Sequence, residues 1–287
     1  MRIAIIGLGL IGGSIGLGLK QLLLTSRLAP VVVGIPRQEE TIGQAISRGA
    51  IDEGTTDLIK GVTDADLVFI CTPINLIIPT LEKIVPVLKK GAIVTDVGSS
   101  KHEIVSQADK LMPKGTYFVA GHPLAGKEKA KLGAAEAKLF DGKTWVLTPT
   151  ARTSKKALAK IADIIRMVGG LPLELDPKLH DLVVAGISHV PLAVAAALVN
   201  TVADTEEGQA EMKKLAASGF RDTTRIASGD PILGVDMFTT NKKAVLKMIK
   251  AFKKSLGNLE KLIKEGGQEK IKQELSKAKL LRDSIFS

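Results

Sequence analysis

The sequence predicts an α/β protein in which a doubly wound parallel sheet is followed by an all-helical domain. Two observations support this prediction. Between residues 2 and 175, short apolar strand patterns alternate with amphipathic helix patterns, as in a parallel sheet covered by helices on both faces. From His180 onward, no strand pattern competes with the helical ones. We therefore expect two domains, residues 1–176 and residues 177–287.

The composition limits the classes of protein to which the chain can belong. Its 287 residues are 45% hydrophobic, which is ample for two packed cores. Lysine and arginine outnumber aspartate and glutamate by 40 to 30, but only 3% of the residues are aromatic. Nucleic-acid binding usually combines basic residues with interleaved stacking residues, whereas these lysines are spread along helical patterns. We therefore expect no nucleic-acid partner, and interpret the charge as solvated helix faces that steer a small anion.

Cysteine usage and hydropathy indicate where the protein works. The single cysteine, Cys71, lies in an apolar strand pattern, so a buried, inert thiol is expected. The sequence has no disulfide framework and no Cys/His cluster spaced for a metal, which favours a reducing cytoplasm and no metal site. Apart from residues 3–19, no apolar run approaches a membrane span without interruption, so no membrane partner is expected.

The first strand leads into a glycine-rich turn. The apolar segment from Arg2 to Ile6 runs directly into GLGLIG, a GxGxxG pattern that opens a helix. In a Rossmann-type domain this pattern lays a dinucleotide pyrophosphate on the helix N-terminus. The first glycine permits the tight turn, the second lets the backbone approach the phosphates, and the third lets helix and strand pack closely. The predicted cofactor contacts here are Gly7, Gly9, Leu10, Ile11 and Gly12.

This segment has two other interpretations. A glycine-rich turn with a purely structural role would show the same pattern. A secretory signal would also be apolar after a basic residue, but the glycines of residues 7–13 would weaken its helix and no clean cleavage site follows. The position of the turn after an N-terminal strand favours the dinucleotide site.

The end of the second strand, Val31 to Ile35, is where the adenosine ribose should be recognised. NAD-binding proteins usually place an acidic residue here, which would repel a 2′-phosphate. This chain has Pro36, Arg37 and Gln38 instead, and an arginine can pair bidentately with that phosphate. We therefore predict NADP in preference to NAD, bound by these three residues. The alternative is an exposed arginine in a loop, whose positive charge is partly offset by the two glutamates at 39 and 40.

The alternation of strands and helices continues along the chain. The predicted elements are a helix near 40–48, strands at 67–71 and 92–96, a helix through 80–88, further strands at 117–120, 144–147 and 171–175 that extend the same sheet, and a helix near 154–167. Ligands of such sheets bind at the carboxyl ends of the strands. The loops after Ile35, Cys71 and Asp96 should therefore line the cofactor, which adds the contacts Cys71, Thr72, Pro73 and Gly98.

Two helices characterise the C-terminal part. Residues 181–199 are apolar nearly all round, as in a helix buried within a bundle or a subunit interface. Residues 242–263 place their apolar side chains on one stripe with lysines opposite, which predicts ordinary amphipathic packing. The scarcity of polar surface on the first of these helices predicts a homodimer.

Two loops at predicted strand ends carry groups suited to chemistry. His122 is held between Gly121 and Pro123, with a short route to a nicotinamide, and suits a catalytic base for hydride transfer from an alcohol. Ser99 lies in the other loop, residues 96–101, and is positioned to hydrogen-bond His122, the substrate hydroxyl or the nicotinamide amide. The alternative for Ser99 is an N-cap for the helix that follows.

Polar residues in the helical domain are further candidates. His189 lies in a largely apolar helix, where a buried histidine is either satisfied structurally or part of a site. Arg221 and Arg225 lie in the polar segment GFRDTTR, where they are either carboxylate ligands or surface charges.

Five motifs together give the chain its family resemblance. GLGLIGGS at residues 7–14, TDVGSSK at 95–101, GHPLAG at 121–126, ISHVP at 187–191 and GFRDTTRIASGDP at 219–231 resemble the prephenate/arogenate dehydrogenases of tyrosine biosynthesis over nearly the whole chain. The resemblance implies a Rossmann domain, a helical dimerisation domain, and oxidative decarboxylation of a cyclohexadienol. GHPLAG and GFRDTTR are its specific parts, because GxGxxG occurs in many dehydrogenases.

The resemblance also implies roles for individual residues. By that similarity His122 matches the catalytic histidine that bonds the ring hydroxyl, Ser99 the serine beside it, and Arg225 the arginine that holds a substrate carboxylate. His189 matches a second histidine of the pocket, which implies substrate binding. The resemblance places charged groups of the pocket entrance at Glu128, Arg221 and Asp222, where Asp222 would favour a substrate ammonium.

These inferences lead to one principal hypothesis and three alternatives. The principal hypothesis is an NADP-dependent arogenate dehydrogenase, and the nearest alternative takes prephenate. A β-hydroxyacid or imine reductase also couples a Rossmann domain to helices, but would lack a histidine segment like residues 121–126. A non-enzymatic NADP-sensing or scaffold protein is the remaining class.

Overall fold

The N-terminal half is built on a six-stranded sheet. The structure is a computed structural model that describes residues 1–22, 30–127 and 131–286. The strands lie in the order β3-β2-β1-β4-β5-β6, and every neighbouring pair is parallel. They are β1 (Arg2–Ile6), β2 (Val31–Ile35), β3 (Glu53–Gly54), β4 (Leu67–Ile70), β5 (Ile93–Asp96) and β6 (Tyr117–Val119). The predicted doubly wound parallel sheet is confirmed, and its order reverses between β1 and β4.

Helices cover both faces of this sheet. They are α1 (Leu10–Leu22), α2 (Glu40–Ser47), α3 (Leu58–Val62), α4 (Ile74–Ile84), α5 (His102–Leu111) and α6 (Lys155–Met167). Alternate residues of β1 point to opposite faces: Ile3 and Ile5 pack into one apolar core, and Ala4 and Ile6 into the other. Burial on both faces explains why the strands are continuous apolar runs rather than alternating ones.

Helix α4 begins earlier than the sequence pattern indicates. The predicted start was Thr80, but the helix begins at Ile74 and contains Pro79 in its second turn. A proline usually marks the start of a helix because it cannot donate to the carbonyl four residues earlier. Here the buried side chains of Ile77, Leu81 and Ile84 hold the helix against the sheet across the proline.

Three further strands form a separate small sheet. They are β7 (Gly121–Pro123), β8 (Thr144–Leu147) and β9 (Leu171–Glu174), with β7 antiparallel to β8 and β8 parallel to β9. The prediction that residues 144–147 and 171–175 extend the first sheet is therefore wrong. The segment 121–126 also begins as a strand and not as a loop. An apolar strand pattern reports burial, and it does not report which sheet supplies the hydrogen-bond partner.

The rest of the described chain is helical. Its helices are α7 (Pro177–Val184), α8 (Val190–Asp204), α9 (Gln209–Leu215), α10 (Ser218–Thr224), α11 (Pro231–Thr240), α12 (Lys242–Glu265) and α13 (Gln268–Phe286). A π-helical turn, Ala185–His189, joins α7 to α8, and a 3-10 turn, Arg225–Ser228, follows α10. From Pro177 to Phe286 the structure contains no strand, as predicted.

Much apolar surface of these helices is exposed in a single chain. Val245 of α12 is buried, but Leu246, Leu256 and Ile263 are more than half exposed. The predicted stripe of residues 242–263 is therefore only partly packed within one chain. The continuous helix Pro177–Asp204 is also long and apolar enough to cross a membrane by length and composition alone, and 28% of its most apolar window is buried. The expectation that no apolar run other than residues 3–19 approaches a membrane span is therefore wrong by length and composition, although core helices of proteins outside membranes share this character.

Candidate active site

The glycine-rich turn has the geometry of a dinucleotide cradle. Gly7 has a φ of +91°, a conformation that favours glycine, and a Cβ built there would lie 2.6 Å from the carbonyl oxygen of Cys71. A Cβ at Gly12 would lie 2.0 Å from the carbonyl oxygen of Gly7 and 3.1 Å from Ile5. Both positions therefore admit only glycine. Helix α1 begins at Leu10, so its N-terminus opens at the carboxyl ends of β1 and β4.

The neighbouring strand end offers a polar atom for a ligand. The hydroxyl of Thr72 is buried and has no hydrogen-bond partner among the described residues. A buried hydroxyl without a partner is costly, so a ligand that bonds it would be favoured. Together with the glycine turn, this atom fits a dinucleotide phosphate or ribose. Cys71 does not add a nucleophile, because burial and, secondarily, the carboxylate of Asp96 raise the pKa of its thiol.

The residues after β2 lie at the edge of this cradle. Pro36 is buried, whereas Arg37 and Gln38 are exposed at the carboxyl end of the strand. Glu39 is exposed as well and accepts a hydrogen bond from Thr56 at 3.3 Å. The arginine is therefore accessible to a ligand on this side of the sheet.

Three side chains form a hydrogen-bonded chain that begins at His122. Nδ1 of His122 lies 2.9 Å from Nε2 of His180, and Nδ1 of His180 lies 2.8 Å from Oδ1 of Asp181. The Asp181 carboxylate can only accept, so Nδ1 of His180 donates to it and Nε2 of a neutral His180 accepts from Nδ1 of His122. The remaining nitrogen of His122, Nε2, then carries a lone pair. This arrangement presents an oriented base.

The surroundings keep His122 neutral. Burial lowers its pKa well below the usual value of 6.5, and the nearby His180, Lys101 and His189 lower it further. At neutral pH the ring is therefore ready to accept a proton.

Asp181 connects this chain to helix α5. Its two carboxylate oxygens accept hydrogen bonds from the backbone N–H groups of Lys101, at 2.7 Å, and His102, at 3.0 Å. Burial opposes the charge of Asp181, but hydrogen bonds from His180 and these two N–H groups lower its pKa. The carboxylate of one helix thus caps the N-terminus of another. The alternative in which Ser99 caps α5 is not what the structure contains, and Ser99 lies half-buried just before this turn.

A fully buried ion pair lies beneath the same turn. Nζ of Lys101 contacts the carboxylate of Asp96 and donates to the carbonyl oxygen of Gly121 at 2.9 Å. Asp96 also accepts from the N–H groups of Gly98, at 2.9 Å, and Gly121, at 3.2 Å. Burial lowers the pKa of the Lys101 ammonium, and Asp96 opposes that effect. Further hydrogen bonds compensate the burial of such a pair: here Gly121 accepts from the lysine, and two backbone N–H groups donate to the aspartate.

His189 is buried in the same region, and only one of its two ring nitrogens has a hydrogen-bond partner among the described residues. Its Nδ1 lies 3.3 Å from the side-chain amide nitrogen of Asn241, which also donates to the carbonyl oxygen of Asp181 at 2.8 Å. Nδ1 is therefore the acceptor and Nε2 carries the proton, but Nε2 has no partner among the described residues. Burial lowers the pKa of His189 to about 4. A neutral, buried N–H donor is thus available to a ligand.

Local sequence explains the position of His189. Pro191 follows two residues later, lacks an N–H, and its ring would collide with the carbonyl four residues earlier. The backbone widens into the π-helical turn Ala185–His189 immediately before it. Such turns occur frequently at functional sites because they redirect a side chain out of the regular helical register.

The predicted substrate-binding residues of α10 and of the turn that follows it are exposed in a single chain. Arg221 and Asp222 are exposed and pair with each other, with 3.1 Å between Nε and Oδ1. Arg225 is exposed at the start of the 3-10 turn that packs against α8, and it takes part in an interaction of its own. In a single chain, these three residues are not enclosed with the histidines. Glu128 lies outside the described residues.

Several residues of the site were not singled out from the sequence. They are His180, Asp181, Lys101, Asp96 and Asn241. The sequence did contain a signal for His180 and Asp181. They are adjacent polar residues at the start of an apolar helix, where, as for His189, a polar side chain is either satisfied structurally or part of a site. The other three give no such signal, because a lysine, an aspartate or an asparagine near a helix end is usually solvated or a cap.

Comparison with known proteins identifies the family. A family model described as prephenate dehydrogenase, nucleotide-binding domain, matches residues 23–172, and one described as prephenate dehydrogenase, dimerization domain, matches residues 176–277. The prephenate dehydrogenase of Bacillus subtilis is 34% identical over 99% of this chain and 76% of its own length. The cyclohexadienyl dehydrogenase of Zymomonas mobilis is 33% identical over 91% of this chain and 87% of its own length.

Solved structures agree with this assignment. Synechocystis arogenate dehydrogenase is 37% identical with a TM-score of 0.87, covering 99% of this chain and 100% of that one. Prephenate dehydrogenase from A. aeolicus, in complex with hydroxyphenyl propionate and NAD+, is 35% identical with a TM-score of 0.92, covering 99% and 98%. A pyrroline-5-carboxylate reductase from Coxiella burnetii, at 14% identity and a TM-score of 0.52, shares the fold alone. The chain belongs to the prephenate dehydrogenase family, with a nucleotide-binding domain followed by a dimerization domain.

Proposed function

We propose that the protein is an NADP-dependent arogenate dehydrogenase that converts L-arogenate to L-tyrosine and CO2. Family membership supports the reaction class, an oxidation by a nicotinamide dinucleotide. The observation that carries the proposal is the chain from Asp181 through His180 to His122. It ends in a neutral base whose neighbour Gly121 is bound to Asp96 at the carboxyl end of β5. The N-terminal domain of residues 1–176 holds the cofactor, and the helical domain of residues 177–287 contributes to the substrate pocket and the dimer.

His122 performs the proton transfer in this mechanism. The bound dinucleotide supplies the acceptor for the hydride that leaves the carbinol carbon. Nε2 of His122 takes the hydroxyl proton as the carbonyl forms, and Nδ1 remains bonded to His180. Breaking the bond to the ring carboxylate releases CO2 and leaves its electron pair in the ring as a phenolate. His122 then returns the proton to the phenolate oxygen, so atoms and charge balance.

The remaining residues orient the substrate. Ser99, beside the N-terminus of α5, hydrogen-bonds the ring hydroxyl together with His122. The unpartnered Nε2–H of His189 suits an anionic or carbonyl oxygen of the substrate. The family resemblance assigns Arg225 to a substrate carboxylate and Glu128, Arg221 and Asp222 to the pocket entrance, with Asp222 favouring the arogenate ammonium. Because Arg221, Asp222 and Arg225 are not enclosed with the histidines of the same chain, this assignment requires the dimer to bring them to the pocket. Much of the rate then comes from holding the ring against the nicotinamide.

The cofactor assignment follows from the cradle and the end of β2. Its residues are Gly7, Gly9, Leu10, Ile11, Gly12, Pro36, Arg37, Gln38, Cys71, Thr72, Pro73 and Gly98. The exposed Arg37, with no acidic residue before it, supports recognition of the 2′-phosphate and therefore NADP. Burial of Pro36 anchors the backbone from which the arginine extends.

A homodimer in the cytoplasm is part of the proposal. Exposed apolar side chains on α12, among them Leu246, Leu256 and Ile263, need a cover that a second copy would supply. A single cysteine with a raised pKa suits a reducing compartment.

The nearest alternative is prephenate dehydrogenase acting with NAD. It is favoured by the relatives named for prephenate and by the A. aeolicus complex that contains NAD+. Arogenate differs from prephenate in carrying an amino acid side chain in place of a keto acid, so the two substrates separate the hypotheses directly.

A four-way assay decides between them. Initial rates are measured for arogenate and prephenate, each with NADP and with NAD, and compared as kcat/KM. We expect the highest value for arogenate with NADP. A higher value for prephenate would refute the substrate assignment, and a higher value with NAD would refute the interpretation of Arg37.

A further inference from the structure

The buried Lys101 has no part in the chemistry above. Its side chain is 0% exposed, and burying an ammonium group costs free energy. A lysine that only filled space could be replaced by an apolar side chain at lower cost. Its contacts suggest a specific use.

The first contact holds the peptide that carries His122. The carbonyl oxygen of Gly121 accepts from Nζ of Lys101 at 2.9 Å, and the N–H of Gly121 donates to Asp96 at 3.2 Å. Both backbone groups of the residue before His122 are therefore bound by one ion pair. These two groups belong to consecutive peptide planes, so the ion pair fixes the backbone on both sides of the Gly121 Cα.

The second contact holds the partners of His122. The backbone N–H of Lys101 donates to Oδ1 of Asp181 at 2.7 Å, and the same oxygen accepts from His180. A closed ring results, which runs from the Lys101 side chain through Gly121, His122, His180 and Asp181 back to the Lys101 backbone. The base is thus fixed from its own backbone and from its hydrogen-bond partner by a single residue.

We propose that Lys101, paired with Asp96, is a positioning residue of the reaction, which holds His122 and its His180–Asp181 partners in one fixed arrangement. This inference rests on the proposed function, because it assigns His122 as the base. Its charge has a second effect, since Lys101 is one of the groups that lower the pKa of His122. Loss of the ammonium should therefore both loosen the base and make it easier to protonate.

Two variants test the proposal, with one matched control. Lys101→Met removes the ammonium, and Asp96→Asn/Lys101→Met removes both charges, so that a folded protein is obtained even if the single variant leaves Asp96 too costly to bury. The control is Lys89→Met, which breaks an ion pair of the same domain, 2.6 Å long and partly exposed, at Asp66. Folding is checked by thermal unfolding of each variant.

Three readouts are compared with the wild type: the His122 titration by NMR without substrate, the Kd for NADP, and kcat. We expect the His122 pKa to rise, the Kd to change by less than about threefold, and kcat to fall by about 10²-fold, which is the cost of a small misplacement. Lys89→Met should change none of these. A folded double variant with an unshifted His122 titration, or with a Kd that weakens as much as kcat falls, would overturn the proposal.

The readouts also separate this inference from the proposed function. The titration and the Kd need no substrate. If the wild type oxidised neither arogenate nor prephenate, the proposed function would fail, and a raised His122 pKa in the variants would still support the link between Lys101 and His122.

Discussion

His122 and His180 bond to each other across 2.9 Å although 58 residues separate them in the chain. His122 lies on strand β7 of the small sheet, and His180 lies on helix α7 of the helical part. The proton-carrying pair therefore exists only when both parts are folded and docked. Asp181 strengthens this connection by capping helix α5 with the same carboxylate that orients His180.

Replacing the base should abolish turnover without affecting the cofactor. His122→Asn keeps a polar side chain but removes the proton acceptor, so kcat should fall by about 10²-fold or more. The Kd for NADP, measured by the quenching of protein fluorescence or by calorimetry, should remain within about twofold. Unchanged turnover would remove His122 from the mechanism.

The Asp181 carboxylate should matter more for turnover than for stability. Asp181→Asn has one acceptor oxygen for three N–H donors, which disturbs the tautomer of His180, and kcat should fall by about 10²-fold. The control is Asp176→Asn at the N-terminus of α7, where the carboxylate also accepts two backbone N–H bonds. Asparagine caps helices as well as aspartate, so the control should keep its activity and its melting temperature. Equal losses of activity in both variants would show that Asp181 acts only as a helix cap.

The protein should become less stable as the pH is lowered, because of its buried histidines. The pKa of His189 is about 4 in the folded protein and 6.5 in the unfolded chain. Between these pH values the unfolded state therefore binds more protons. Its contribution is complete above pH 6.5 and is lost as the pH falls towards 4, by about 3 kcal/mol in all. The lowered pKa of His122 acts in the same direction. Urea unfolding between pH 7 and 4.5 should show a shallower dependence for His189→Gln, and an unchanged slope would argue against this account.

Arg37 should determine the choice of cofactor. Arg37→Ala removes the charged partner of a 2′-phosphate, and the Kd for NADP should rise by about tenfold or more while the Kd for NAD stays the same. Arg152→Ala, another exposed arginine of the same domain, should change neither. An equal rise for NADP and NAD would mean that Arg37 acts through something other than the phosphate.

Gly121 should tolerate no side chain. A Cβ there would lie 2.8 Å from Nε1 of Trp145 and 3.1 Å from the carbonyl oxygen of Asp96, so Gly121→Ala must displace the strand that carries His122. We expect a loss of about 1–3 kcal/mol in unfolding free energy and a lower kcat. Gly126→Ala is the matched control, because nothing lies within 4 Å of its Cβ. A fully active, equally stable Gly121→Ala would show that the strand adapts.

Local patterns were reliable where the physics is local. The GxGxxG turn after β1 follows from the steric freedom of Gly7, and the continuous apolar runs of β1 and β4 follow from burial on both faces. His122 and His189 could be singled out because a histidine in an apolar or rigid setting is unusual. By contrast, the helix predicted through residues 80–88 begins at Ile74 and contains Pro79, since tertiary packing outweighs the preference of one residue.

Periodicity and motifs of adjacent residues were enough to predict the parallel sheet, the glycine turn and the family resemblance. Three-dimensional packing was needed to show that strands β8 and β9 form a second sheet, that Asp181 caps α5, and that Lys101 lies between Asp96 and Gly121. Apart from the Asp96–Lys101 pair, which is only five residues apart, these are contacts between segments distant in the chain. Hydrogen-bond partners and desolvation are set by what packs alongside a residue, and no spacing along the sequence records that.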